Sequence, residues 1–296
     1  MNTRQVIEIA SRHLKELPGH VFDVLTVSKP SSIEAAINLA KIISKLSPIV
    51  GNLIEFNTVE FLNKLDEFSD VGVWKRQDPD FPDAVFEGNV TPPPGFEIKA
   101  WFPLSTEITA RFKDSQNYFL EDHIYVTMLS WLPENVIFGR PKIIDVVIVS
   151  AASVAKARDT HYHNPPDYLV LEPEDTSART RNLQQTNTNG YKFQGSRKEF
   201  EEALAIVETW GKEGRIYKPT PEYQKQIRAL LEKFKYRLDT NYAKMDRIVH
   251  DEIEKFKTRV LSTNYKGLTI KEWNRILFRG TEEEIKTTLE KYLGIE

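Results

Sequence analysis

The chain contains no cysteine, which excludes disulfides, thiolate zinc sites and cysteine nucleophiles, so any bound metal must be held by oxygen or imidazole. It also lacks any run approaching the ~18 to 20 uninterrupted apolar residues that a membrane-spanning helix needs. The opening MNTRQVIEIASRHLKEL has neither the apolar core nor the small-residue cleavage site of a secretory signal. A cytoplasmic protein with no membrane contact is therefore expected. Nor is there an excess of positive charge: 40 Lys and Arg against 43 Asp and Glu leave a formal net charge of −3. Any attraction to a polyanion must come from local basic clusters, not from the total. Internal repeats and low-complexity tracts are missing as well. What is present suffices for a folded core: 296 residues, 40% hydrophobic, 11% aromatic and 28% charged, suit a globular protein of one large domain or two smaller ones.

Residues before about 70 read as amphipathic helices. VIEIASRHLKEL, then IEAAINLAKIISKL started by Pro30, Ser31 and Ser32, then VGNLIEFNTVEFLNKLDEF, each carry apolar residues three or four apart. From 71 to about 173 the texture turns to short β-rich runs, VGVW, AVFEG, GFEIKAWF, HIYVTMLSWL, KIIDVVIVSA and DYLVLEP, divided by proline-rich turns. STEITARFKDSQ and SVAKARD within this stretch have helical character, giving the mixture of an α/β core. Residues 174–195, rich in Thr, Asn, Gln and Arg, predict an exposed loop. Beyond 197 the chain turns helical again. Between 222 and 261 there is neither glycine nor proline. Ile227, Leu231, Phe234, Leu238, Tyr242, Met245, Val249, Ile253, Phe256 and Val260 recur there with an 11-residue period. That period predicts one helix of roughly 35 to 40 residues, bracing the domain or pairing with a second subunit. The expected organisation is residues 1–196 as a core with N-terminal helices, and residues 197–296 as a helical region packed on it or at a dimer interface.

The densest chemistry lies in DPDFPDAVFEGNVTPPPGFEIKAWF, residues 78–102. Pro82-Asp83 opens a short apolar run, a turn with Pro92, Pro93, Pro94 and Gly95 follows, and a second run carries Glu97 and Lys99, which predicts a hairpin. Alternation along a strand puts Glu97 and Lys99 on one face, with Ile98 and Ala100 on the other, and the neighbouring strand brings Asp83 beside them. Two converging carboxylates repel one another and attract a divalent cation, for which an all-oxygen, partly hydrated shell suits magnesium. A lysine two residues beyond the second carboxylate is placed to polarise an attacking water, or to neutralise charge on a phosphorane-like transition state. Glu97 and Lys99 lie among Phe96, Ile98, Ala100 and Trp101, a run apolar enough for a central strand, where unneeded charge is unfavourable. A structural ion pair on an edge strand is the alternative. Asp80 competes with Asp83, but only Asp83 directly precedes the apolar run.

This pattern, Pro82-Asp83, 13 intervening residues and Glu97-Ile98-Lys99, resembles the PD-(D/E)xK nuclease signature of type II restriction endonucleases. The resemblance covers residues 51–173. It implies a restriction-endonuclease-like α/β core, a mixed central β-sheet flanked by helices, extended by a helical N-terminal segment and a long-helix C-terminal region. It also implies that Asp83, Glu97 and Lys99 are catalytic and that Mg²⁺, one ion or two per site, is held at Asp83, Glu97 and Ile98. A helix glutamate, Glu55 or alternatively Glu60, joins them. The reaction implied is site-specific hydrolysis of double-stranded DNA by metal-activated water, as part of a restriction-modification system.

For reading base edges, the segment at 174–195 offers Arg179, Arg181, Asn182, Gln184, Gln185, Asn187, Asn189 and Lys192, side chains that match major-groove donors and acceptors. Tyr191 and Phe193 would anchor it. A polar loop without a recognition role is the alternative. Arg111, with Glu107 and Lys113 in STEITARFKDSQ, predicts a helix near the phosphates, or an ordinary ion pair with Glu107. Cutting both strands of a palindrome calls for a two-fold homodimer, and a cognate DNA methyltransferase is the expected functional companion. His161 and His163 share a face if they lie on a strand, but without further ligands a hydrogen-bonding role suits them better than metal. The second Pro-Asp, at Asp167, is followed by Glu172 with no lysine and reads as a core strand. Two rival functions stay open: a repair or mobile-element nuclease with the same core, and a non-catalytic nucleic-acid-binding or scaffold protein.

Overall fold

A computed structural model describes residues 1–77, 81–104, 121–162, 168–171, 189–211, 220–239 and 249–295. They fall into two compact units: Met1–Ile108, His123–Ser150 and Asp251–Glu296 form the first, Thr109–Asp122 and Ala151–His250 the second. The region after residue 197 is thereby divided between them.

In the first unit, α1 (Thr3–Leu14) begins at Asn2, whose side chain accepts from Gln5 N while Gln5 Oε1 accepts from Asn2 N, both at 2.9 Å. This reciprocal cap satisfies donors that a helix start leaves open. α2 (Ile33–Ile42) begins at Ser32, where the Pro-Ser-Ser pattern predicts. α3 (Ser47–Asn63) buries Val50, Gly51, Ile54, Thr58, Val59 and Leu62. Strands β1 (Gly72–Arg76), β2 (Ala84–Gly88), β3 (Gly95–Trp101), β4 (Ile124–Asn135) and β5 (Phe138–Ser150) pair in that order. All neighbours are antiparallel except β3 and β4, which are parallel and so need a crossover connection. The unit is a mixed sheet with flanking helices, of the expected α/β class. The helix predicted for STEITARFKDSQ lies outside the described residues.

Alternation gives the first three strands two unlike faces. Trp74 and Phe86 are cross-strand partners, Phe96 partners Ala84, and all are buried on one side. With Phe68 they form an aromatic cluster whose ring centroids lie between 5.2 and 6.0 Å apart. α3 packs on β1 and β3 over this face. Its Asn63 clamps the edge strand: Oδ1 accepts from Trp74 N at 2.8 Å, and Nδ2 donates to Trp74 O at 2.9 Å. Two main-chain groups that an edge strand would leave open are thus closed. On the opposite face α7 (Asp251–Ser262) buries Ile253, Phe256 and Val260, with the Phe256 ring 5.7 Å from that of Trp101. After a short hairpin of β9 (Asn264–Tyr265) and β10 (Leu268–Thr269), α8 (Ile270–Arg279) and α9 (Glu282–Leu293) pack with α2.

The second unit contains α4 (Ala151–Tyr162), the antiparallel sheet β6 (Tyr168–Leu171), β7 (Asn189–Phe193), β8 (Tyr236–Asp239), and the helices α5 (Arg197–Glu208) and α6 (Pro221–Lys233). Ala203, Val207, Leu230 and Phe234 form a core with Phe193, Ile206, Trp210 and Tyr236 around them.

Several expectations fail here. The single long helix does not form: α6 ends at Lys233, Phe234 is extended (φ −122°, ψ 159°), Tyr236–Asp239 is a strand, and among the described residues the next helix begins at Asp251. Phe234 and Leu238 satisfy the helical period, and together with Tyr236 they also satisfy a two-residue one. Pairing with β7, which sets the Phe193 and Tyr236 rings 5.3 Å apart, decides for the strand. Of the loop expected over 174–195, residues 174–188 lie outside the described residues, and Asn189–Phe193 form β7, the central strand of that sheet. His161 lies on a helix, α4, and not on a strand; His163 lies outside the described residues, as do Asp167 and Glu172. Among the described residues no helix is long and apolar enough to cross a membrane.

Candidate active site

β2 and β3 pair only at Ala84–Phe96 and Val85–Gly95. One step further, the same register sets Asp83 opposite Glu97. On the other side of Asp83 stands Gln77, whose N donates to Asp83 O at 2.8 Å. Gln77, Asp83 and Glu97 thus form a row across three strands on the face away from α3, and Lys99 stands next to it, two residues further along β3. Here the ladder stops: Ile98 N donates not to a main-chain carbonyl but to Asp83 Oδ2, at 2.7 Å. The N–H and C=O of a strand residue leave by the same edge, so the Ile98 carbonyl is turned to this opening too. Proline before Asp83 has no N–H to extend the ladder. Its ring also lies where a side chain on Gly95 would be, since a Cβ there would stand 2.6 Å from Pro82 Cγ.

Lys99 Nζ lies 2.5 Å from Glu97 Oε1 and 3.5 Å from Asp83 Oδ2; the three side chains are 44%, 14% and 24% exposed in that order. Burial disfavours the ammonium, yet the charges of Glu97 and Asp83 outweigh it and hold the Lys99 pKa above the ordinary lysine value. Glu55 comes in from α3. Its carboxyl is pushed up to about 7 by burial and by the charges of Asp83 and Glu97, against the pull of Lys99 and Arg76. Glu60, the alternative, is exposed and stands roughly 140° further round the helix. Sequence reasoning missed Arg76, the last residue of β1. It partners Ala84 and so lies on the α3 side of the ribbon end, where Glu55 approaches. The signal was the run VWKRQ ahead of DPD, which only the β1–β2 register connects to Asp83.

The oxygens of Asp83, Glu97 and Glu55, with the Ile98 carbonyl, are the donor chemistry of a hard divalent cation and include neither sulfur nor imidazole. Among the described residues, no three His, Cys, Asp or Glu side chains close on one point as they stand. The positive charge that Asp83 and Glu97 share is that of Lys99. Arg111, Arg179, Arg181, Asn182, Gln184, Gln185 and Asn187 lie outside the described residues, as do Asp80, Glu107 and Lys113. Asn189 and Lys192 lie on β7, opposite Leu171 and Tyr168 of β6. Compared with family models, curated proteins and solved structures, the chain finds no match in any of the three.

Proposed function

We propose that the chain is a Mg²⁺-dependent deoxyribonuclease of the restriction-endonuclease type, cutting specific sites in double-stranded DNA as part of a restriction-modification system. The observation that carries this reading is the row at the open end of the ribbon, where Asp83 faces Glu97 and the Lys99 ammonium touches both. A mixed sheet between helices supports it.

Asp83, Glu97 and the Ile98 carbonyl would hold the cation, with Glu55 beside them. A divalent ion there supplies Lewis-acid stabilisation of a phosphodiester and makes water more acidic. The chain contributes position and charge. Asp83 is fixed by its bond to Ile98 N, and Glu97 by its place on a paired strand. Lys99 supplies a positive charge and a donor for a water or for a non-bridging phosphate oxygen, where charge develops during attack. Two-fold pairing of the chain would bring one such site to each DNA strand. Arg111 and the segment from Arg179 to Lys192 would supply backbone contact and base readout. The functional companion would be a methyltransferase for the same sequence.

The test is incubation with phage DNA and Mg²⁺. Discrete fragments that vanish with a chelator are expected, and Lys99→Ala should fold and bind DNA yet not cut. Intact DNA with both Mg²⁺ and Mn²⁺ overturns the reading. The structural ion pair is favoured by one observation, the contact of Lys99 with both carboxylates. It predicts that neither Mg²⁺ nor Mn²⁺ alters the melting of the wild-type protein.

A further inference from the structure

We infer that Gln77 is a further substrate-contacting residue of this site, its side-chain amide donating to a non-bridging oxygen of the phosphodiester held at Asp83 and Glu97. This rests on the nuclease reading above and names a contact by which the substrate backbone is gripped. Gln77 directly follows β1, the edge strand, and its N donates to Asp83 O at 2.8 Å, so the β1–β2 register runs on to set Gln77 opposite Asp83. Residues directly opposite in such a pair share a face, with Cβ atoms roughly 4.5–5.5 Å apart. Gln77 therefore belongs to the face of Asp83, Glu97 and Lys99, and its side chain, one methylene longer than that of Asp83, is long enough to bring the amide to the rim of the carboxylates. The residue is half-buried, and among the described residues its amide has no hydrogen-bond partner.

The chemistry of the row suits an amide at this place. Asp83 is already fixed by Ile98 N at 2.7 Å, so Gln77 is not needed to hold it. On the Glu97 side Lys99 supplies N–H donors, with Nζ 3.5 Å from Asp83 Oδ2; on the other side of Asp83 the next residue of the row is Gln77. A phosphodiester brought to these carboxylates meets negative charge and gains from a donor on each flank. A lysine or arginine at position 77 would pair with Asp83 as Lys99 does, and so compete with a divalent cation for the same oxygens. A glutamate would offer the phosphate acceptors alone. The amide carries two N–H donors and no charge, so it can bind a phosphate oxygen and leave the carboxylates to the cation.

Gln77→Leu and the isosteric Gln77→Glu test this in the full chain. Binding of a random-sequence duplex is read by fluorescence anisotropy at fixed Mg²⁺ across a salt series, with Lys99→Ala as the common background so that nothing is cut. Cleavage of phage DNA with Lys99 intact gives KM and kcat, and the melting shift that Mg²⁺ causes without DNA reads the cation alone. Gln77→Leu should weaken binding about tenfold, the size of one hydrogen bond to a charged group. The slope of log K against log salt should not change, because a neutral amide displaces no counterion. KM should rise by more than kcat falls, and the Mg²⁺ melting shift should stay as in the wild type. Gln77→Glu should bind DNA more weakly still while enlarging the Mg²⁺ shift. If the wild type cuts while Gln77→Leu keeps its affinity and KM, the assignment of Gln77 falls and the nuclease reading stands. Weaker binding that comes with a lost Mg²⁺ shift likewise overturns it, since the residue then acts on the cation and not on the phosphate. A wild type that leaves DNA intact removes both.

Discussion

On one face of β1, β2 and β3 lie Trp74, Ala84, Phe86, Phe96 and Ile98, each no more than 1% exposed. On the other lie Lys75, Asp83, Glu87, Glu97 and Lys99. The two sets alternate along the same strands, so residues one bond apart in sequence belong to environments that differ in dielectric and purpose. The aromatic face is where burial stabilises, each ring removing some 150 to 250 Å² from water. The charged face contributes little by comparison. Its outer pair, Lys75 Nζ to Glu87 Oε2 at 2.5 Å, is more than half exposed on both sides and is worth at most about 1 kcal/mol. Its inner group holds like charges together around one ammonium. Stability concentrated on one face leaves the other free to carry groups that would not be chosen for folding alone.

The sharpest way to break this contrast is Phe96→Ala. A fully buried ring in contact with Trp74 should cost about 3–5 kcal/mol when truncated, read by chemical denaturation. A loss below about 1 kcal/mol would place the stabilising burial elsewhere. Next in size is Lys99→Ala in chelator. Removing one partner of a buried ion pair costs about 3–5 kcal/mol, and because the Lys99 side chain is 44% exposed we expect roughly half of that after screening. Mg²⁺ should return most of the loss, since the released carboxylates gain a new cation. A variant as stable as the wild type in chelator would mean that the charged face bears no folding energy at all.

How much of this was legible depends on how local each determinant is. The helix starts at Asn2 and Ser32 and the alternation from Phe96 to Trp101 are written in adjacent residues, and so is the hairpin that sets Asp83 against Glu97. The parallel pairing of β3 with β4 is not, because it depends on the path of a crossover. Arg76 needed the β1–β2 register. The choice of Glu55 needed the rotation of α3 against the sheet, which Asn63 fixes from about two turns away by grasping Trp74. In the second unit, Phe234 and Leu238 fit the helical period and, with Tyr236, a two-residue one, and only the neighbouring strand selects between them. β7 is harder still: Asn189, Gly190 and Lys192 have little strand propensity of their own, and the strand exists because β6 and β8 flank it on both sides.

The smallest expected effect is also the one that reads the charged face most directly. Glu55 is surrounded by Asp83 and Glu97, which raise its pKa after burial has done so, and by Lys99 and Arg76, which oppose them. Its folded value of about 7 stands above the ordinary 4.5, so between those pH values the folded chain holds a proton that the unfolded chain has released. Stability from this group is therefore complete below about pH 4.5, falls as pH rises, and is gone above about pH 7. Glu55→Gln stays neutral throughout. In chelator the variant should be the more stable protein at pH 8, by on the order of 1–2 kcal/mol after allowance for partial solvation, and the gap should close by pH 4.5. Melting curves of both proteins across that range decide the matter. A gap that is constant with pH, or that widens towards acid, means that the Glu55 carboxyl does not feel the two carboxylates at the ribbon end and that α3 does not deliver it to the site.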